Sequence, residues 1–146
     1  MMIAALLILA ASSAPTAPEI PARLRARWEL QPADCAVAPQ RLDRKGYLLI
    51  NAHHITLFQG ELVKWQVSSM KHPSPNAYVF EVKSTGRDET ADMTFYGHYH
   101  IVVNANASIT VWGDDEEGKQ TYLQCPAANA YGTTPFAAHP LTGSPQ

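Results

Sequence analysis

From Gly46 to Cys125 the chain is a succession of short runs rich in Tyr, Val, Ile, Phe, Trp and Thr. They recur at roughly ten-residue spacing, separated by Gly, Asn, Asp, Ser and Pro, which is the rhythm of antiparallel strands joined by tight turns. No window of the region carries helical periodicity. The runs predict strands at Tyr47 to Asn51, His54 to Gln59, Leu62 to Ser68, Tyr78 to Ser84, Met93 to Tyr96, Tyr99 to Asn104, Ser108 to Trp112 and Thr121 to Cys125. Asn51 to His53, Gln59-Gly60, Asn104 to Ala107 and Gly113 to Gly118 supply turn residues between them.

Alternation assigns the faces. Phe95, Tyr99, Ile101 and Val103 fall on one side and Tyr96, His98, His100 and Val102 on the other, and the first set is the expected core. Val63, Trp65 and Val67 oppose Leu62, Lys64 and Gln66; Ile109 and Val111 oppose Ser108, Thr110 and Trp112. One dry face and one wet face mark antiparallel strands. The expected fold is therefore all-β. Seven to nine such strands in about 100 residues curl into a small meander barrel or a sandwich, because a flat sheet leaves bare edges. Pro21 can open a short N-terminal helical turn, or the chain there can run straight into a first strand at Trp28.

The ends differ from the middle. Charged residues make up 16% of the chain, against about a quarter in a typical soluble domain, and the first 18 residues carry none. Ile3 to Ala11 is apolar and small residues follow it, as in a secretory signal peptide. That run is too short to cross a bilayer, which takes about 20 apolar residues, and Pro15, Pro18 and Pro21 cannot continue a helix. Residues 1–14 are read as the signal, 15–22 as a proline-rich leader, 23–125 as the β domain, and 126–146 as a disordered tail without charge. The expected address is the periplasm or the exterior, with no stable membrane insertion after cleavage. A net charge of −2, from 11 basic and 13 acidic side chains, leaves no electrostatic footprint for nucleic acid.

Two cysteines in an exported chain imply a disulfide between Cys35 and Cys125, near the two ends of the patterned region. His98 and His100 stand two apart on a predicted strand, so both rings leave one face about 7 Å apart, a spacing that can offer two ligands to zinc or copper. His53-His54, at a turn, could lend a third. Asp114-Asp115-Glu116-Glu117 concentrates carboxylates in one loop but lacks the alternating ligands of a calcium loop, and reads as a solvated hairpin loop. No serine stands in a nucleophile elbow. Glu81 beside Lys83 reads as a salt pair on a strand face. Asn106-Ala107-Ser108 matches a glycosylation acceptor, relevant only in a eukaryotic secretory pathway.

Leu24-Arg-Ala-Arg-Trp28-Glu-Leu-Gln-Pro-Ala-Asp34-Cys35, followed by Lys45-Gly46-Tyr-Leu-Leu-Ile50 and His54-Ile-Thr-Leu-Phe58, resembles a group of small exported bacterial β proteins with a Trp, a Pro-Ala-Asp-Cys stretch, a Lys-Gly before the next strand and a closing cysteine. More distantly it is similar to lipocalin-like exported barrels, among them the Inh type of periplasmic protease inhibitor. That resemblance implies a lipocalin-like barrel with a first-strand Trp packed across its floor. The chain departs from the bacterial group at Ser84 to Asp92, and no functional residue is carried over.

The expected function is binding without catalysis and without a cofactor, the occupant being a protein partner or a small apolar ligand. The alternative is a periplasmic metal-binding protein using His98 and His100. An interior filled by side chains favours the protein partner, and an open apolar cavity favours the small ligand.

Overall fold

The structure is a computed structural model and describes residues 16–36, 46–87 and 91–126. Eight strands follow one another around a closed antiparallel barrel: β1 (Arg27–Glu29), β2 (Tyr47–Ile50), β3 (His54–Phe58), β4 (Leu62–Ser74), β5 (Ala77–Arg87), β6 (Asp92–Val103), β7 (Ser108–Trp112) and β8 (Gln120–Gln124). Each strand pairs with the next and β1 pairs back to β8, so the meander closes without a crossover. Closure removes the lateral edges that a flat sheet would leave.

The registers put Trp28, Leu48, Leu57 and Val63 in one inward row, and Tyr78 opposite Ile101 opposite Val111 in another. Large side chains fill this space: Trp28, Leu48, Ile50, Ile55, Phe80, Ile101, Ile109 and Tyr122 are all at most 2% exposed. Burying a side chain of this size is worth about 1.5–3 kcal/mol.

The end of the barrel carrying the β2–β3 and β4–β5 turns is closed by residues 16–26. Ile20 and Leu24 are fully buried there, the former donating its N–H to the Ala52 carbonyl at 2.8 Å. A short 3-10 turn, Ala22–Leu24, lets the Trp28 indole N–H reach the Leu24 carbonyl at 3.0 Å. Arg23 straps the turn to the wall, its Nε donating to the Tyr78 hydroxyl at 2.9 Å and a terminal nitrogen to the Pro75 carbonyl. The folded body thus begins before Arg23: the leader through Ala22 is a plug, because Ile20 has an apolar interior to enter. The residues expected to be signal, and those of the tail beyond Pro126, lie outside the described residues.

Three strands also differ from the expectation by more than one residue at an end. Met93 to Tyr96 and Tyr99 to Asn104 belong to one continuous strand, since Gly97 is no turn but a pleated position opposite Val82. A Cβ on Gly97 would stand 3.3 Å from Asp114 Oδ2, so the glycine admits the β7–β8 loop against the strand. β4 runs on past Ser68 to Ser74, absorbing Pro73 within a register shift between Lys71 and Ser74 where the ladder makes no demand on a proline N–H. β5 in turn continues past Ser84 to Arg87.

The β1–β8 seam is reinforced from outside. Cys35, in the 3-10 turn Pro32–Ala36, is bonded to Cys125 just after β8, whose N–H donates to the Arg27 carbonyl at 2.9 Å. On the outward face of β1 under this turn, Arg27 and Glu29 form an ion pair at 2.7 Å with side chains 1% and 0% exposed. Arg27 also donates to the Asp34 carbonyl at 2.7 Å.

Candidate functional site

Strand length decides what is left open. β4, β5 and β6 have 13, 11 and 12 residues, whereas the other five strands have 3 to 5. The surplus of β5 and β6 projects past the rim at the end opposite the plug, whereas that of β4, beyond Gln66, runs toward the plugged end. The β5–β6 ladder continues through Ser84–Phe95, Thr85–Thr94, Gly86–Met93 and Arg87–Asp92. The pairing of β4 with β5, however, goes no further in this direction than Gln66–Lys83, and that of β6 with β7 no further than His100–Trp112.

Apolar residues at this open end therefore meet water. Leu62 is 63% exposed, Met93 45%, Phe95 49% and Tyr96 77%. Phe95 was expected in the core; its alternation is right, but at its level the described residues form no opposite wall to cover it. Leu62, Val63, Trp65, Phe95 and Tyr96 line a recess of about 650 Å³ between the diverging strands, with Ser84, Thr85 and Gly86 on its other bank. The Phe95 ring lies over Gly86, within 3.3 Å of where a Cβ would be.

Below this recess the barrel mouth is narrow. Gln59 donates to Gln120 Oε1 and, at 3.1 Å, to the Tyr122 hydroxyl, which donates to Gln120 Oε1 at 2.8 Å. This polar bridge from β3 to β8 borders a space of about 180 Å³, below the usual range of about 300–1,000 Å³ for ligand sites. Burial and the neighbouring Tyr122 push the Tyr99 phenol up to about 12, partly offset by the Trp65 indole N–H, and burial raises Tyr122 itself. Trp65 meets Tyr99 edge to face with ring centroids 6.0 Å apart.

The two candidate metal ligands do share an outward face, but each is engaged separately. His98 Nδ1 lies 2.7 Å from Asp114 Oδ1, and the same carboxylate accepts from the His98 backbone N–H at 3.3 Å. These bonds hold the Asp114 carboxyl below its ordinary range and fasten the β7–β8 loop to β6. His100 stacks on Trp112 with centroids 5.1 Å apart, and the Lys119 ammonium lies over the same Trp112 ring, 4.5 Å from its centroid. His54 pairs with Gln66, which pairs with Lys83, which pairs with Tyr96. It stands three strands from β6, roughly 14 Å at 4.8 Å per strand, too far to share an ion with His98. Among the described residues no group of three or more His, Cys, Asp or Glu could hold a metal ion.

The acidic loop satisfies itself: Asp115 caps the turn Glu116–Gly118 by accepting from the Glu117 N–H at 3.0 Å, and Glu116 pairs with Lys119 at 3.4 Å. Glu81 pairs with Lys71 across the β4–β5 ladder at 3.6 Å, in place of the expected Lys83. The hydroxyl of Ser108 is committed to Asn106 Oδ1 at 2.6 Å.

No residue of the open rim was singled out as a site from the sequence. The available signal was an apolar residue on a wet face, Leu62 beside Lys64 and Gln66, together with apolar residues on both faces of Met93 to Tyr96. A scan against protein-family models matches none, and searches of the curated proteins and of the solved structures return no match.

Proposed function

We propose that the protein is an exported binding protein without catalytic chemistry and that its partner is another protein, engaged at the open rim of the barrel. The observation that carries this reading is the contrast between a side-chain-filled interior and a bare apolar rim of Leu62, Met93, Phe95 and Tyr96. Exposed apolar patches of this kind, edged by polar residues, mark interaction surfaces. A filled barrel leaves a small apolar ligand little room. The apolar N-terminal run supports export, and so does the disulfide, which suits an oxidising compartment.

Site-specific photo-crosslinking tests the reading. A photoreactive side chain at Leu62 or Tyr96 is expected to give a discrete protein-sized adduct in the native extracytoplasmic fraction, absent when the same group replaces Thr121 on the far side. Native mass spectrometry of the purified protein is expected to show the bare chain mass. A small apolar molecule co-purifying in stoichiometric amount, with no rim adduct, refutes the proposal in favour of a carrier.

A further inference from the structure

Past the Gln66–Lys83 pair, residues 62–65 of β4 keep only their ladder to β3, and residues 84–87 of β5 only theirs to β6. Among the described residues, each edge therefore turns a row of backbone groups without a strand partner toward the recess of about 650 Å³. Such a row repeats donors and acceptors along the strand, and the ligand whose own groups repeat at the same pitch is another extended backbone.

The two sides of this fork differ in chemistry. On the inner side stand Val63 and Trp65, with Phe95 opposite Ser84. On the outer side His54, Lys64, Gln66, Lys83 and Thr85 surround a second recess of about 310 Å³. Burial, Lys64 and His53 lower the His54 pKa, so the positive charge there comes from the two lysines. Glu61, at the β3–β4 turn, is the one carboxylate among the described residues lining either recess.

We propose that this fork captures an extended polypeptide segment as an added strand along the free edge of β5, one whose apolar residues alternate with acidic ones. The proposal rests on the protein-partner reading and names its mode. A strand's side chains alternate between faces, so one set meets Val63, Trp65 and Phe95 while the other meets Lys64 and Lys83. Residues 84–87 offer roughly 13 Å of edge at 3.3 Å per residue. A second copy of this chain fits poorly, because edge-to-edge pairing of two forks brings Lys64 and Lys83 of both copies together, and lysine at an edge is a known device against self-pairing.

The test uses the full chain and synthetic peptides of about ten residues alternating Glu and Val, chosen for the period-two face alternation of a strand. Binding is expected to protect backbone amides within residues 84–87 from hydrogen exchange. N-methylation of the peptide backbone on its pairing edge is expected to weaken binding by about tenfold or more. The double variant Lys64→Glu/Lys83→Glu is expected to lose the Glu-Val peptide and gain a Lys-Val peptide, a charge swap that also shows the variant is folded. Equal binding of the N-methylated peptide, or protection confined to another part of the barrel, overturns the proposal. Concentration-dependent dimers that protect the same amides overturn it too, giving the edge to a second copy. If peptides leave 84–87 unprotected while the Leu62 and Tyr96 adducts persist, strand addition fails and the rim reading stands; if the adducts are also missing, both fail.

Discussion

Severing the Cys35–Cys125 bond tests how the barrel is held closed. β1 and β8 share two paired positions, Trp28 with Gln124 and Glu29 with Leu123, the fewest of any neighbouring pair. The disulfide spans a sequence separation of 90 directly over this seam. In the chain-entropy treatment, releasing a loop of that length returns about 4.6 kcal/mol of freedom to the unfolded chain. Native stabilities run at about 5–15 kcal/mol, so the loss amounts to between about a third of the total and nearly all of it. The Cys35→Ala/Cys125→Ala variant, compared with the parent in urea by tryptophan fluorescence, is expected to show a lower midpoint. It is also expected to show a steeper dependence on denaturant, because the unlinked unfolded chain exposes more surface. Hydrogen exchange supplies the refuting result. If the unfolding free energy falls by less than about 1 kcal/mol while only amides at the β1–β8 seam exchange faster, the bond is a local clasp and the entropic account fails.

Three further perturbations have signs set by the structure. Ile20→Ala empties a fully buried position at the plugged end and is expected to cost about 2–5 kcal/mol in denaturant unfolding; a neutral result would make the segment before Arg23 an accessory. Glu29→Ala removes the buried carboxylate paired with the Arg27 guanidinium and is expected to cost about 3–5 kcal/mol in thermal unfolding, whereas the joint Arg27→Met/Glu29→Leu replacement recovers most of that; similar costs for both would contradict the desolvation argument. Tyr99, raised from 10 to about 12 by burial, is protonated more readily in the folded state than in the unfolded one. Its contribution is therefore complete below pH 10 and lost as the pH rises toward 12, with Tyr122 adding in the same direction. Tyr99→Phe is expected to lessen alkaline unfolding and to remove the last step of the ultraviolet phenolate titration; an unchanged profile would place the loss elsewhere.

The parts of the fold legible from the sequence are those with a local cause. Ile109 and Val111 alternate with Ser108, Thr110 and Trp112, and β7 has its predicted bounds, Ser108–Trp112, although Ser108, expected on the wet face, is buried with its hydroxyl bonded to Asn104 and Asn106. Two cysteines in an oxidising context leave one pairing, which the Cys35–Cys125 bond realises. Features that depend on what another segment does were not legible. Gly97 looks like a turn until Asp114 arrives beside it, and Pro73 looks like a strand end until a register shift excuses its missing N–H. Ile20 sits in a proline-rich leader and becomes core only because the barrel has an open end to plug.

The open rim is the extreme case of this dependence. Phe95 obeys the same alternation as Ile101 six residues on, yet one is 49% exposed and the other fully buried. Nothing local separates them; β7 stops opposite His100, and β4 parts from β5 at Gln66–Lys83. The local trace was instead a violation of pattern: Leu62 on a face of Lys64 and Gln66, and Met93, Phe95 and Tyr96 apolar on both sides of one strand. Alternation within a strand reports which face is dry only where a second wall exists to dry it. Apolar residues on both faces at a strand end, beside Lys64 and Lys83, are what the proposed partner is argued from, and the charge swap at those two lysines asks whether such a partner arrives as a strand.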